Sequence, residues 1–171
     1  MEMPKQFDNL NSNVVDDLKI TLKQSSKVSI AAASFSIYAY EALKEELEAI
    51  EELRFIFTSP TFHKERASKE KREFFIPKLN RERSLFGSDF EVKLRNQLSQ
   101  KAIARECADW IRHKACFKTN VSTGALNGFL SVVNDEGKYV YLPFNEFTTT
   151  ELGCERGNNI CPVSMRMPSP F

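Results

Sequence analysis

A strand–helix–strand unit near the start of the chain limits the folds open to it. Lys27–Ser34 is rich in β-forming and small residues on both faces, which predicts a buried central strand. Apolar residues at helical spacing predict a helix over Ser36–Ala49, and a second buried strand is predicted over Leu53–Thr58. Because the links are short, we expect a parallel strand pair joined by a right-handed crossover.

Further elements follow from hydrophobic spacing. A helix is predicted over Asn11–Ser25, with Asn11 or Ser12 as its N-cap, and another over Phe90–His113. Three strands are predicted near Ala115–Val121, Gly128–Val133 and Lys138–Leu142, the last two joined as a hairpin by the turn Asn134–Gly137. The pattern predicts an α/β fold with a mixed, mainly parallel sheet flanked by helices. The core stripe of the long helix is predicted to comprise Leu94, Leu98, Ala102, Ile103, Cys107, Trp110 and Ile111.

Composition sets broad limits on the chain. Its 171 residues, 42% of them hydrophobic, suffice for one domain with a proper core. We expect that domain over residues 1–160, followed by a linker over 161–171 that leads to a further region. No apolar run of 18 residues occurs, so no membrane span is expected. Four cysteines without an apolar leader predict reduced thiols and a cytoplasmic location.

Positive charge is concentrated in one segment, although the net charge of the chain is only +1. Between Thr61 and Arg83 eight basic residues face four glutamates. Such a cluster can neutralise several phosphates and bind nucleic acid in a salt-dependent way. The alternative is a solvated helix whose glutamates pair with neighbouring cations. The basic residues of this segment are Lys64, Arg66, Lys69, Lys71, Arg72, Lys78, Arg81 and Arg83.

Four stretches of the chain carry a family resemblance. They read S-F-S-I-Y-A-Y-E-A-L-K-E-E-L, L-R-F-I-F-T-S-P-T-F, A-I-A-R-E-C-A-D-W-I-R and F-T-T-T-E-L-G. With them, the chain resembles the phospholipase D-like domain at the N-terminus of bacterial SNF2-type (superfamily 2) helicases. The resemblance implies a single half of the phospholipase D fold, a role in DNA processing, and an ATP-driven motor downstream.

The same resemblance implies a site that has lost its chemistry. Active members have a His-x-Lys pair, then a Gly-Ser-x-Asn segment one strand later. Asn127 and Phe129 occupy the first pair of slots here, and the second segment reads Pro143, Phe144, Asn145, Glu146. Phosphodiester cleavage by this route needs a histidine nucleophile and cationic stabilisation of the transition state, so we expect no catalytic residue at these positions.

The remaining polar and aromatic side chains of this region have two interpretations. Asn145 and Glu146 follow a strand, where they can hydrogen-bond a ligand or only cap a loop. Phe129, Tyr139, Tyr141, Phe144 and Phe147 can stack on bases or form core, and alternation along two strands favours core for most. Phe129, in the slot of the family's lysine, is expected to fill the pocket that otherwise takes phosphate.

These observations predict a DNA-binding accessory domain, degenerate as a phosphodiesterase. Its site would comprise Asn127, Phe129, Asn145 and Glu146 with the basic segment. The expected partners are DNA, the downstream helicase region and, if the domain dimerises, a second copy. No metal or cofactor is expected in this domain, because ATP and Mg²⁺ belong to the downstream motor. The alternatives are a nuclease of the phospholipase D type that works as a dimer, and a docking or dimerisation surface.

Overall fold

One mixed sheet forms the centre of the molecule. The structure is a computed structural model that describes residues 4–8, 10–58, 89–124, 126–154 and 164–168. In these ranges seven strands pair in the order β1-β7-β6-β5-β2-β3-β4. Their bounds are β1 (Lys5–Phe7), β2 (Lys27–Ala32), β3 (Glu52–Phe57), β4 (Ala115–Thr119), β5 (Phe129–Asn134), β6 (Gly137–Leu142) and β7 (Ser164–Pro168).

The expectation of a mainly parallel sheet is wrong. Strand β3 pairs in parallel with both β2 and β4, as the strand–helix–strand pattern predicts. The other four pairs, β2–β5, β5–β6, β6–β7 and β1–β7, are antiparallel. The reason is the short turn at Asn134–Gly137, which can join only antiparallel strands, together with the placement of β5 beside β2 rather than beside β4.

Five helices lie in the described ranges: α1 (Val14–Thr21), α2 (Ile37–Ala42), α3 (Lys44–Ala49), α4 (Asp89–Lys114) and α5 (Thr149–Leu152). The cap of α1 is Asn13, whose side chain accepts a hydrogen bond from the Asp16 amide at 3.0 Å, rather than Asn11 or Ser12. The helix predicted over Ser36–Ala49 is divided at Leu43, which has φ −120° and ψ 18°. None of the described helices is long and apolar enough to cross a membrane.

The helices pack against one face of the sheet, which we call the core face. It carries alternate strand residues such as Ile30, Phe55 and Leu130. Buried residues from α1, α2, α3, α4 and α5 join these in a single hydrophobic cluster, among them Leu18, Tyr40, Leu47, Trp110 and Leu152. Tyr141, Phe144 and Phe147 are also fully buried there, so the interpretation of these aromatic residues as core is confirmed.

The opposite face of the sheet, which we call the outer face, is not part of that cluster. Strand register places its residues in rows across the sheet, because Ala31 lies opposite Ile56 and Phe129, and Ser131 lies opposite Ser29 and Val140. Phe129 is half-buried here and does not belong to the core cluster. The described outer face comprises Gln6, Lys27, Ser29, Ala31, Glu52, Arg54, Ile56, Cys116, Lys118, Phe129, Ser131, Val133, Lys138, Val140, Leu142 and Met167.

The core stripe predicted for the long helix holds only in its C-terminal half. Cys107 and Trp110 are buried, and the Trp110 indole donates a 2.9 Å hydrogen bond to the Leu47 carbonyl. Leu98 is 58% exposed and Ala102 is exposed too, so the prediction is wrong for both. The cause is length: α4 is about 39 Å long at 1.5 Å per residue, whereas β4 spans about 17 Å. Leu94 lies among residues whose side chains the structure does not describe.

The last described strand lies inside the segment predicted as a linker. Residues 164–168 form β7, which pairs with both β1 and β6. An ion-pair cluster around the buried Asp17 carboxylate holds these strands to α1. This carboxylate is 2.6 Å from the Lys5 ammonium and 3.2 Å from the Arg166 guanidinium. It also accepts a 2.8 Å hydrogen bond from the Tyr141 hydroxyl. Residues 164–168 thus belong to the sheet, in contrast to that expectation.

Candidate functional site

The ends of several strands meet at one edge of the sheet, which we call the carboxyl edge. It lies beyond the last residues of β2, β3 and β4, the first residue of β5 and the last residue of β6. Three backbone hydrogen bonds fasten the segment after β6 to the chain after β2. The Ala33 amide donates to the Asn145 carbonyl at 2.7 Å, the Phe147 amide to the Ser34 carbonyl at 3.0 Å, and the Ser36 amide to the Phe147 carbonyl at 2.9 Å.

The structure brings the two predicted asparagine positions to this edge. Asn127 precedes β5 and Asn145 follows β6, and the two segments are in contact at Gly128. A Cβ atom at Gly128 would lie 2.1 Å from the Phe144 carbonyl oxygen and 3.0 Å from the Asn145 Cα. Glycine is therefore required for this approach. Both asparagine side chains are exposed, so the edge presents two amide groups to solvent.

A buried carboxylate is hydrogen-bonded to the backbone of the Asn145 segment. Glu151, on α5, is 7% exposed and accepts a 2.8 Å hydrogen bond from the Asn145 backbone amide. Burial raises the pKa of Glu151, the hydrogen bond from Asn145 opposes that shift, and the nearby negative charge of Glu146 adds to it. Glu146 itself is exposed. Glu151 therefore fixes the backbone, while Asn145 and Glu146 direct their side chains outward.

The loop after β4 forms the other side of the edge, and the residue that organises it was not among the predicted site residues. Asn120 is 5% exposed, and its side-chain amide donates to the carbonyls of Thr58 at 3.0 Å and Gly124 at 2.6 Å. Its side-chain oxygen accepts from the amide and the hydroxyl of Ser122. This preorganised loop presents Val121, which is 97% exposed. The sequence pattern that could have identified Asn120 is Asn-x-Ser-x-Gly, which is typical of an Asx-turn.

The described part of the carboxyl edge contains no cationic or imidazole side chain. Its polar groups include the hydroxyls and amides of Ser34, Thr58, Asn120, Ser122, Asn127 and Asn145 and the carboxylates of Glu146 and Glu151. His113 lies in the last turn of α4 at the opposite edge, where its Nδ1 lies 2.7 Å from the Asp109 carbonyl oxygen. His63 lies outside the described residues. The described edge can donate and accept hydrogen bonds, and it lacks the histidine that phosphodiester cleavage by the His-x-Lys route would need.

Metal ligation has no support in the described ranges either, since no group of three or more histidine, cysteine, aspartate or glutamate residues there could hold a metal ion. The half-buried side chain of Phe129, the first residue of β5, lies on the outer face beside Ala31.

The predicted basic segment adjoins this edge in the chain. Its eight basic residues, Lys64 to Arg83, all lie outside the described residues. The chain passes toward them from Thr58, the residue that follows β3. The Thr58 amide donates to the Ala32 carbonyl at 3.0 Å, and the Thr58 carbonyl accepts from the Leu126 amide at 3.1 Å. The point from which the chain continues into the basic segment is therefore fixed at the carboxyl edge.

Comparisons with known proteins show no family for this chain. No family model matches it, and no curated protein matches it. Among solved structures, it is similar to a crystal structure of a mutant yeast tyrosyl-DNA phosphodiesterase, with a TM-score of 0.46 and 12% sequence identity. The similarity covers 98% of this chain and 32% of that protein, so the chain spans about a third of its length.

Proposed function

We propose that this chain is a nucleic-acid-binding domain without phosphodiesterase chemistry of its own. The observation that carries the proposal is the position of Thr58: the chain leaves a polar, hydrogen-bonding edge of the sheet and continues directly into a segment with eight basic residues. The basic segment would neutralise phosphates, and the exposed amides of Asn127 and Asn145 would hydrogen-bond sugar or base groups.

A more specific proposal rests on the sequence resemblance alone: the domain is a degenerate half of the phospholipase D fold. In this role it helps a bacterial SNF2-type helicase to engage DNA. In keeping with that assignment, Asn127 and Phe129 occupy the slots where such an enzyme needs histidine and lysine. ATP hydrolysis would belong to the downstream motor, and this domain would supply affinity for DNA.

A triple substitution tests the proposal. Replacing Lys69, Lys71 and Arg72 together with alanine removes three charges from the basic segment. If the three contact phosphates, the salt dependence of log Kd changes by about 2 for single strands and about 3 for duplex DNA. The measurement is fluorescence anisotropy of a labelled oligonucleotide over a salt series.

The matched control removes three positive charges from the edge of the sheet opposite to the carboxyl edge. Lys19 and Lys23 lie near the amino end of β2, and Arg112 lies near the amino end of β4. Alanine at these three positions changes the net charge equally and should leave the salt dependence unchanged. Equal effects of the two triple variants would mean that binding follows net charge alone, which would refute a localised site.

A further inference from the structure

We propose that the outer face of the sheet binds single-stranded nucleic acid. This surface is separate from the basic segment, and the inference rests on the proposed function only for the class of ligand. All five described helices pack on the core face, so no described helix covers the outer face. The described outer face carries four exposed cations and one acid, the half-buried Glu52, although the net charge of the whole chain is only +1. The four cations are Lys27, Arg54, Lys118 and Lys138.

The four cations form a line across the sheet, which we call the cation stripe. Lys118 on β4, Arg54 on β3 and Lys27 on β2 are each offset from the next by one strand and two residues. That offset places the Cα atoms of neighbouring cations about 8 Å apart. Lys138, on β6, lies in the same row as Lys27 but two strands further on, or about 10 Å away. The cation stripe is therefore about 23 Å long, and it begins next to the carboxyl edge.

The charge of the cation stripe is complementary to a nucleic-acid backbone. Phosphates repeat at regular intervals along a strand, so one strand laid along the stripe can contact all four cations. Two of the cations have acidic neighbours: Arg54 is 2.6 Å from the Glu52 carboxylate, and Lys27 is 3.2 Å from that of Glu51. Exposed ion pairs of this kind contribute little to stability, so these cations remain available to phosphates. The lysines at the two ends of the stripe form no ion pair with any described residue.

An apolar row beside the cation stripe favours a single strand over a duplex. Ile56 lies opposite Ala31, Ala31 lies opposite Phe129, and Leu142 continues the row on β6. Ala31 is only 1% exposed, while its three larger companions are half-buried and do not reach the core cluster. A duplex keeps its bases inside the stack, whereas unpaired bases can stack on Phe129 and cover the aliphatic side chains beside it. The outer face thus offers cations for phosphates and an apolar row for bases.

Charge reversal at the two ends of the cation stripe tests the inference. The probe is a labelled oligothymidylate of about 12 nucleotides, within the range of about 4–16 that one small single-strand-binding fold covers. The double variant Lys118→Glu/Lys138→Glu should weaken binding about tenfold and lower the slope of log Kd against log salt by about 1.4, which is about 0.7 for each lost phosphate contact. The control Lys19→Glu/Lys101→Glu changes the net charge equally at exposed positions of α1 and α4, and it should leave the slope unchanged.

A second variant separates contacts to bases from contacts to phosphates. Phe129→Leu keeps an apolar side chain in the row but removes the aromatic ring. Loss of one stacked base should weaken oligothymidylate binding about tenfold, while the salt slope and the affinity for duplex DNA stay as in wild type. An equal loss for the duplex and the single strand would overturn the assignment to single strands.

Failure of this inference and failure of the proposed function give different results. If wild type binds the oligonucleotide and the two lysine double variants bind it equally well, the outer face is no nucleic-acid surface, whereas the basic segment still accounts for binding. If instead the triple variant of Lys69, Lys71 and Arg72 binds like wild type and the stripe variant does not, the basic segment fails and the outer face holds. Poly-glutamate that binds wild type as tightly as the oligonucleotide, with no loss in Phe129→Leu, would assign the face to an acidic protein and overturn the inference.

Discussion

Substitution of Gly128 by alanine should break the geometry that unites the candidate site. The new Cβ would lie 2.1 Å from the Phe144 carbonyl oxygen, whereas real Cβ contacts stay above 3.0 Å. The two segments would therefore have to separate by nearly 1 Å. Both colliding partners are backbone, so no side-chain rotation relieves the contact.

The cost follows from what that separation disrupts. Overpacking of a well-packed site costs about 1–3 kcal/mol, and loss of the hydrogen bond from the Phe144 amide to the Gly128 carbonyl adds about 1 kcal/mol. We expect the free energy of unfolding to fall by about 2–4 kcal/mol, which corresponds to a decrease in Tm of about 5–15 °C for a chain of this size.

Urea denaturation followed by circular dichroism measures this change, and the chain contains a matched control. A Cβ at Gly124 meets nothing within 4 Å, so Gly124→Ala should leave stability unchanged or raise it by up to about 1 kcal/mol. If Gly128→Ala unfolded at the same urea concentration as Gly124→Ala, the close approach of Gly128 to Phe144 would be disproved.

Two further predictions concern the carboxyl edge. Asn120→Ala removes the side-chain hydrogen bonds to Thr58, Gly124 and Ser122, and it should lower the free energy of unfolding in urea by about 2–3 kcal/mol. Asn127 is exposed, so Asn127→Ala should stay within about 0.5 kcal/mol of wild type. Equal losses in the two variants would contradict the role of Asn120. Burial raises the pKa of Glu151 above its ordinary value of 4.5, so the folded state binds the carboxyl proton of Glu151 more tightly than the unfolded state does. Wild type should therefore lose stability as the pH rises from 4.5 through the raised pKa of the folded state. Glu151→Gln should remove that part of the pH dependence, and an unchanged pH profile would show that Glu151 is ionised without cost.

Local patterns predicted most of the secondary structure, because they depend on neighbouring residues. The strand–helix–strand unit and the hairpin at Asn134–Gly137 are both confirmed. The break at Leu43 was not visible, since apolar spacing continues through it. The sheet order was beyond local patterns, because the pairing of β5 with β2 joins segments about a hundred residues apart.

The strand ends that flank the candidate residues were predictable, but the contacts that support them were not. The family resemblance singled out Asn127 and Asn145, and the predicted strands put Asn127 just before β5 and Asn145 just after β6, where the structure has them. The supporting contacts of Glu151 and Asn120 depend on the tertiary fold, so their sequence context shows only a helix start and a turn. Leu98 was assigned to the core by its spacing, but spacing does not show where a helix extends beyond the sheet.

The most direct test of the central claim is the salt dependence of DNA binding by the wild-type chain, with the recovered DNA run on a denaturing gel. If at least four of the basic residues contact phosphates, a fourfold rise in salt should weaken duplex binding roughly 100-fold. The account predicts that steep dependence together with uncut DNA. A dissociation constant that does not change with salt concentration, or no binding at low salt, would contradict the proposed nucleic-acid-binding domain. Cleavage of the DNA would contradict the loss of phosphodiesterase chemistry.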